Sequence, residues 1–312
     1  MPSTHLLEPE RRTLHGHFSR DLKPILTIQP GDTVCYRTLD ANWGLEPFTG
    51  GEYTPRHEME GRQPQLDDGH PLIGPIAIEG ARVGQTLEIQ IKRVIPGAWG
   101  FCLAGGWPSR TNQRLNIIQR GIVHAWTLDP QTMIGRNHLG HTVPLRPFMG
   151  VMGMPPDEPG IHSTIPPRRS GGNLDCKELV AGSTLYLPIA VQGGLFSVGD
   201  GHAAQGDGEI SGTAIECPME IVELTFDLRE DFPTHAPTAH TPAGWLTMAF
   251  DEDLNEAAFN AAESMFKLME WLYQLDPLDA IALASTALDL RITQMVNEKR
   301  GVHALLPHGV LR

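Results

Sequence analysis

The chain has 312 residues, which is enough for about two domains of ordinary size. Hydrophobic residues make up 40% of it and charged residues 20%, a globular balance that excludes a disordered chain. Asp and Glu outnumber Lys and Arg by 37 to 24. The net charge of −13 argues against nucleic acid as a partner, because the phosphate backbone is repelled.

Cysteine spacing and hydropathy indicate the compartment. The four cysteines lie far apart, without the spacing of a metal or redox motif, so we expect them to be reduced. The first 24 residues contain no apolar segment of the secretory type. The longest uncharged stretch is interrupted by a proline and a pair of glycines. The sequence therefore predicts a cytoplasmic protein without a membrane segment.

Most of the first 228 residues are predicted to form β-strands. Apolar and β-branched residues alternate or cluster there, and each run is bounded by turns that contain glycine or proline. The total of 33 glycines and 26 prolines fits many short strands joined by tight turns. In chain order, the strand-rich segments are 24–41, 74–97, 178–200 and 214–228.

The pattern changes after residue 230. Residues 235–244 are predicted to be a linker-like loop, and 251–273 carry apolar residues three to four apart, which predicts an amphipathic helix. Asp276 followed by Pro277 is typical of the start of a second helix, which we expect to reach about residue 288. Residues 290–296 return to a strand pattern. We therefore predict a β-rich core over 1–230, and over 231–312 a linker, two helices and a closing strand packed on that core.

The most polar segment of the strand-rich part runs from Gly199 to Glu209 and reads GDGHAAQGDGE. Its carboxylates and its histidine are the ligand types of Zn²⁺ and similar ions, and its glycines let the backbone bring them together. Asp200 and His202 are two residues apart at a strand end, so extended geometry places them on one face. A solvated Asp-Gly turn is the alternative. The density of ionisable groups favours a functional site.

Three further polar patches admit a functional and a structural interpretation. His70 stands in a loop before a proline and is either a ligand or a surface residue. Asn173 and Asp175 follow a pair of glycines, so they either orient a polar substrate and support a metal or belong to a hairpin loop. Asp40 ends a predicted strand, where an aspartate usually serves the turn.

Taken in this order, the patches resemble the acetamidase/formamidase family. The resemblance covers residues 12–306 and is carried by GHPL, GPIAIEGARVGQTLEIQI, PFMGVMG, PPRRSGGNLD and GSTLYLPIAVQGGLFSVGDGHAAQGDGEISGTAIE. It implies a mainly β fold, with a sandwich or barrel-like core and a smaller α/β C-terminal part. The implied activity is hydrolysis of short linear amides, such as formamide or acetamide, to ammonia and a carboxylate. The implied cofactor is a divalent metal, zinc and in some members calcium.

The resemblance also marks individual residues as important, and we infer a role for each. The expected metal ligands are Asp40, His70, Asp200, His202 and Asp207. Glu209 is the preferred proton shuttle, with Glu79 as the second choice. Asn173 is expected to hold the substrate amide or its developing oxyanion, and Asp175 to contact the substrate. The methionine-rich segment PFMGVMG is expected to form the apolar wall of a pocket.

Two other functions fit the same sequence. One is a hydrolase of a larger or cyclic amide on this scaffold. The other is a non-catalytic β-protein that binds a metal or a small molecule, in which a structural calcium loop explains the Asp-Gly-rich segment. In the amidase interpretation the partner is a small-molecule amide. We also expect a homo-oligomer, with a dimer favoured, because surplus strand edges need to be covered.

Overall fold

The computed structural model describes residues 2–232 and 234–311, and short strands dominate it. The strands are β1 (Thr4–Leu7), β2 (Leu14–His15), β3 (His17–Phe18), β4 (Leu26–Ile28), β5 (Thr33–Tyr36), β6 (Gly51–Glu52), β7 (Leu72–Ile78), β8 (Thr86–Pro96), β9 (Trp99–Gly105), β10 (Gly121–Asp129), β11 (Ile134–Asn137), β12 (Thr142–Pro144), β13 (Phe148–Gly153), β14 (His162–Ser163), β15 (Gly171–Asn173), β16 (Thr184–Pro188), β17 (Phe196–His202), β18 (Met219–Arg229), β19 (Thr238–Thr241), β20 (Gly244–Asp251), β21 (Asp289–Gln294) and β22 (Arg300–Pro307). The helices are α1 (Arg110–Arg114), α2 (Leu254–Tyr273) and α3 (Pro277–Ala287). The predicted mainly β fold with a small helical C-terminal part is confirmed.

The largest sheet of the described chain has nine strands, in the order β1–β5–β18–β8–β16–β19–β20–β22–β21. Leu87, Ile89 and Ile91 alternate along β8 and are almost fully buried, as a period of two requires when one face of the strand meets the core. The sheet takes strands from both sides of residue 230. The division of the chain at that residue stays a prediction.

A six-stranded sheet, β15–β13–β17–β7–β2 with β4 beside β7, positions the polar segments of the chain. Val151 on β13 pairs with Asn173 of β15 on one side and with Gly199 of β17 on the other. The residues that follow these two partners, Asp175 and Asp200, therefore emerge close together. The remaining strands form a five-stranded sheet, in which β9 and β6 flank β10, and the β3–β14 pair.

The helices of the C-terminal part begin at capped residues. Asp253 accepts a hydrogen bond from the backbone N–H of Asn255, and Asp276 does the same for Leu278, with Pro277 in the first helical position. The buried face of α2 packs in one apolar cluster with residues of β20 and β22. Within residues 2–232 and 234–311, no helix combines the length and the apolar character needed to cross a bilayer.

The predicted loop at 235–244 is wrong in part, because it contains strand β19. Two prolines in this stretch suggest a loop, but they stand just before and just after the strand, where no ladder hydrogen bond is lost. The Thr241 hydroxyl accepts hydrogen bonds from the backbone N–H groups of Ala243 and Gly244 and closes a tight turn into β20. The sequence pattern of so short a strand is easily mistaken for a linker.

Candidate active site

Five buried ionisable side chains meet where β15 and β17 end. Asp200 and His202 lie on β17, Asp175 follows β15, and Glu209 and Glu216 come from the segment between β17 and β18. None of them is more than 6% exposed. We call this group the acid–histidine cluster.

Two sets of three residues in the cluster are each close enough together to hold an ion. His202 Nε2 is 3.3 Å from Asp200 Oδ2 and 3.1 Å from Glu216 Oε2. Asp175, Asp200 and His202 each offer a ligand atom within 4.8 Å of the others, and so do His202, Glu209 and Glu216. His202 belongs to both sets and is therefore the centre of the cluster.

Three of the four acidic residues of the cluster adopt an unusual backbone conformation. The φ angles of Asp175, Asp200 and Glu209 are 46°, 59° and 45°, in the left-handed region that non-glycine residues rarely visit. Such a conformation costs about 1–3 kcal/mol at each residue and persists where a functional site requires it. The side chains of Asp200 and His202 are close together, as the sequence predicts. The predicted cause, a regular extended backbone, is wrong, because Asp200 has a left-handed backbone conformation.

Gly150 on β13 makes room for two of the carboxylates. A Cβ atom at this position would stand 2.3 Å from Asp200 Oδ2 and 2.9 Å from Asp175 Oδ1. Both distances are shorter than any real Cβ contact, so a side chain here displaces the carboxylates. A glycine is therefore required at position 150 for the cluster to form as it does.

Gln205 orients the imidazole of His202. Its Nε2 donates a hydrogen bond of 2.7 Å to the carbonyl oxygen of Asp175, which leaves Oε1 to accept from His202 Nδ1 at 2.9 Å. The Nδ1 atom therefore carries a proton. Nε2 is directed at the carboxylates, to which it donates when the ring is an imidazolium, and it would offer its lone pair to a bound metal instead.

The cluster buries more carboxylates than its single histidine can neutralise, and their pKa values shift accordingly. Burial raises the pKa of Asp175 to about 8 and that of Glu216 to about 7. Burial, together with the nearby Asp175, raises the pKa of Glu209 well above its ordinary value. Burial alone would lower the pKa of His202, but the Glu216 and Asp200 carboxylates outweigh it and raise that pKa. One imidazolium does not compensate for four ionised carboxylates.

The cluster lines a cavity of about 290 Å³. Asn173 and His70 also line it. Asn173 Nδ2 donates to the carbonyl oxygen of Ile165 at 3.0 Å, and its Oδ1 is buried without a hydrogen-bond partner among the residues described. His70 Nδ1 is 2.9 Å from the hydroxyl of Thr164. Leu103, Trp107, Ile165 and Val296 contribute apolar side chains to the lining.

Three residues selected from the sequence lie outside this cavity lining. Asp40 is fully buried in an ion pair with Arg56 Nη2 at 2.7 Å, and its Oδ1 accepts from two backbone N–H groups of its own loop. Asp207 pairs with Lys177 at 3.0 Å and is partly exposed. Glu79 is exposed and accepts a hydrogen bond from Gln29. The structure therefore does not bring Asp40, Asp207 and Glu79 to the acid–histidine cluster.

Glu216 is not identified from the sequence as a cluster residue, and the methionines of PFMGVMG are wrongly assigned to the cavity lining. Glu216 is 2% exposed and accepts a hydrogen bond of 2.7 Å from the backbone N–H of Ala214. The available signal was a single glutamate inside the apolar stretch that leads into β18. The expected methionine-rich wall is wrong, because Met149 and Met152 point into the main hydrophobic core and do not line the cavity. Within PFMGVMG, the residues that contact the cluster are Gly150 and Phe148, whose ring lies edge-on to the His202 imidazole with 5.0 Å between the centroids.

Comparison with known proteins relates the chain to one family. The model of the acetamidase/formamidase family matches residues 3–163 and 159–310. A putative formamidase of Schizosaccharomyces pombe is 28% identical over 255 residues, and a formamidase of Methylophilus methylotrophus is 26% identical over 250 residues. These alignments cover 65% and 64% of this chain, but only 60% of each relative. The chain thus spans about 60% of the length of these curated relatives.

Solved structures agree with the chain over nearly its whole length. An acetamidase of Bacillus halodurans is 28% identical with a TM-score of 0.83, and the match covers 96% of this chain and 97% of that one. An acetamidase of Yersinia enterocolitica is 27% identical with a TM-score of 0.84, and the match covers 100% and 94%. Family model and solved relatives thus extend over both the sheet that carries the cluster and the C-terminal helices, and the chain belongs to the acetamidase/formamidase family.

Proposed function

We propose that this protein hydrolyses linear primary amides to ammonia and a carboxylate, and that it does so with a divalent metal held by the acid–histidine cluster. The observation that carries the proposal is the burial of four carboxylates around one imidazole. Buried carboxylates at this density require a cation to compensate them. The names of the relatives, acetamidase and formamidase, support the reaction.

The donor set fits zinc better than calcium. Within residues 2–232 and 234–311, Asp175 Oδ1, Asp200 Oδ1 and Glu209 Oε2 are buried without a hydrogen-bond partner. Unpartnered buried oxygens at these positions suit a bound cation. A nitrogen ligand combined with few carboxylates suits Zn²⁺, whereas Ca²⁺ takes six to eight oxygens. We therefore propose zinc, with His202 and Asp200 as ligands and Asp175 or Glu216 completing the set.

A bound divalent metal supplies a Lewis acid, which polarises a carbonyl oxygen and acidifies water. Glu209 is the group we propose to move the proton. Its carboxylate reaches the cavity from the segment after β17, and burial raises its pKa, so that it takes up a proton more readily than an exposed glutamate does. It takes a proton from the attacking water and returns it to the departing nitrogen, which leaves as ammonia.

Asn173 is proposed to recognise the amide group of the substrate. One of the two N–H groups of Nδ2 donates to the carbonyl oxygen of Ile165, and Oδ1 has no partner among the residues described. An acceptor in this position suits the N–H of a primary amide. The unpartnered Oδ1 therefore favours binding of the substrate amide, the first of the two roles expected for Asn173.

The proposal also includes an assembly of identical chains. Between residues 277 and 288 the charged residue is Asp279, and Leu278 and Ile281 on α3 are 77% and 47% exposed. A helix that is apolar on all sides is usually covered. We propose a dimer in which a second copy covers α3 and the outer edge of β21.

The neighbouring edge strand β21 is complementary to itself. It is the last strand of the nine-stranded sheet, and Leu290 on it is 52% exposed. Antiparallel pairing of two copies with Leu290 opposite Leu290 places Asp289 opposite Arg291 of the second copy. Opposite charges facing each other across strands stabilise such a pair. Cytoplasmic location remains a proposal, supported by the absence of disulfides among the four cysteines.

Metal content and ammonia release together test the proposed function. The purified protein is stripped with a chelator, reloaded with zinc or calcium and assayed for ammonia with a panel of linear and cyclic amides. We expect bound zinc near one per chain, and activity that is lost on stripping and restored by zinc. Calcium binding without ammonia release would instead support the non-catalytic interpretation, and preferential opening of cyclic amides would support the alternative hydrolase.

A further inference from the structure

The lining of the cavity combines polar and apolar side chains. The acid–histidine cluster and Asn173 supply polar groups, where the reaction is proposed to occur. Leu103, Trp107, Ile165 and Val296 supply apolar surface, and we call these four residues the apolar wall. A ligand that contacts both kinds of residue has a polar end and an apolar end. For a primary amide, the apolar end is the acyl group.

The volume of the cavity exceeds the needs of the smallest amides. Formamide has three non-hydrogen atoms and acetamide four, which corresponds to roughly three water molecules at about 30 Å³ each. The cavity measures about 290 Å³. Acetamide therefore fills about a third of this volume and leaves room for a larger acyl group. An apolar wall that the substrate does not touch contributes nothing to binding.

The apolar wall is held in place by its surroundings. A Cβ atom at Gly212 would stand 2.9 Å from Trp107 Cζ2, so this glycine lets the indole lie against the backbone. The carbonyl oxygen of Trp107 accepts hydrogen bonds from the Asn112 side chain and from the backbone N–H of Ser109, at the start of α1. The position of Trp107 is therefore fixed from both sides, as expected for a preformed contact surface.

From the volume and the apolar wall of the cavity we propose that the substrate is a primary amide with a branched aliphatic or aromatic acyl group, larger than that of acetamide. Asn173 and the cluster take the amide end, and the acyl group lies against Trp107 and Ile165. The inference rests on the proposed amidase function and specifies the substrate class of the same site.

The test compares kcat/KM of the zinc-loaded protein for formamide, acetamide, butyramide, isobutyramide and benzamide. Each methylene that moves from water to the apolar wall is expected to raise kcat/KM about fourfold until the wall is covered. Trp107→Ala should remove most of this gain, so that kcat/KM for isobutyramide and benzamide falls towards the value for acetamide. The matched control is Leu115→Ala, since Leu115 is 64% exposed and does not line the cavity.

A second variant keeps the test informative if Trp107→Ala does not fold. Ile165 is 43% exposed at the edge of the cavity, so Ile165→Ala is expected to fold and to lose part of the gain with the larger amides. If formamide or acetamide is the best substrate, or if both variants leave the order of substrates unchanged, the inference is wrong and the proposed function stands. If no amide releases ammonia, the proposed function is wrong and the inference fails with it.

Discussion

Gln205 and His202 form a pair in which the glutamine decides which nitrogen of the imidazole faces the carboxylates. Gln205 Oε1 lies 2.9 Å from His202 Nδ1, and the glutamine is itself fixed by donating to the carbonyl oxygen of Asp175 at 2.7 Å. The hydrogen-bond chain leaves His202 Nε2 as the atom directed at Asp200 and Glu216. Supporting residues of this kind set the tautomer and orientation of a metal-binding histidine.

Replacement of Gln205 is therefore expected to weaken metal binding without removing a ligand. Gln205→Ala should lower zinc affinity about 10–100-fold, because His202 loses the acceptor that fixes its ring. Titration with a competing chelator measures the affinity, and circular dichroism checks the fold. Gln131→Ala is the control, since Gln131 is exposed and its side chain lies outside the cavity. Equal zinc affinity in the two variants would show that Gln205 has no positioning role.

The sequence predicts the components of the cluster better than its geometry. The Gly-rich segment 199–209 combines carboxylates and a histidine at a density that a turn does not require, so the sequence predicts Asp200, His202 and Glu209 as site residues. It does not predict Glu216, because this residue stands alone among apolar residues and reaches the cluster only through the folding of the segment before β18. A contact of this kind depends on tertiary structure and leaves no local pattern.

The same limit explains why the sequence selects Asp40 and Glu79, which do not line the cavity. Both are acidic, as a metal or proton-transfer site requires, and nothing in the sequence indicates that Asp40 pairs with Arg56 or that Glu79 bonds to Gln29. The helices were easier, because Asp253 and Asp276 are local capping signals that decide where α2 and α3 begin. Local chemistry is thus predictable from the sequence, while the pairing of distant side chains is not.

Glu209 is expected to act on protons and not to be required for metal retention. Glu209→Gln should keep its zinc and its fold and lose about 10²–10⁴-fold in kcat, the usual contribution of a positioned acid or base. His202→Ala should lose zinc and activity together. Elemental analysis and ammonia assays separate the two outcomes. Glu79→Gln, at an exposed glutamate outside the cavity, should behave as the unmodified protein. A zinc-free Glu209→Gln would make Glu209 a ligand.

Gly150→Ala is expected to disrupt the cluster by contact alone. The added methyl group would stand 2.3 Å from Asp200 Oδ2, and the backbone at Gly150 is compatible with alanine, so the carboxylate has to move. We expect zinc content and activity to fall at least about tenfold and stability to fall by about 1–3 kcal/mol. Gly206→Ala is the matched control in the cluster segment, since nothing lies within 4 Å of its Cβ position. A Gly150→Ala protein with full zinc content would contradict the steric argument.

The proposed dimer is tested at one edge of the nine-stranded sheet. Leu290→Lys places a charge on the edge strand β21, which opposes pairing with a second copy and should give a monomer in light scattering. Leu6→Lys is the control, because Leu6 is 65% exposed on β1 at the opposite edge of the same sheet. A dimer that survives Leu290→Lys, or a protein that is monomeric before any change, excludes this interface.

Acid stability is expected to depend on His15. This residue is 6% exposed, and its ring nitrogens contact the carbonyl oxygen of His17 at 2.7 Å and the hydroxyl of Ser197 at 2.9 Å. Burial lowers the pKa of His15 to about 4. The folded protein therefore keeps His15 neutral at a pH where the unfolded chain, with an ordinary pKa near 6.5, takes up a proton. The resulting stability is complete above about pH 6.5 and is lost as the pH falls towards 4.

The contribution of His15 over this range is on the order of 3 kcal/mol. Urea unfolding at pH 7.5 and 4.5 measures it as the difference in unfolding free energy between the two conditions. His15→Gln keeps polar atoms near both partners and removes the titration, so its difference should be smaller than that of the unmodified protein by about 2 kcal/mol. His303, whose pKa burial also lowers to about 4, should retain its own share of the pH dependence in this variant. His57→Gln, at an exposed histidine, should leave the difference unchanged. If His15→Gln and His57→Gln lose the same free energy on acidification, His15 is not held neutral in the folded protein.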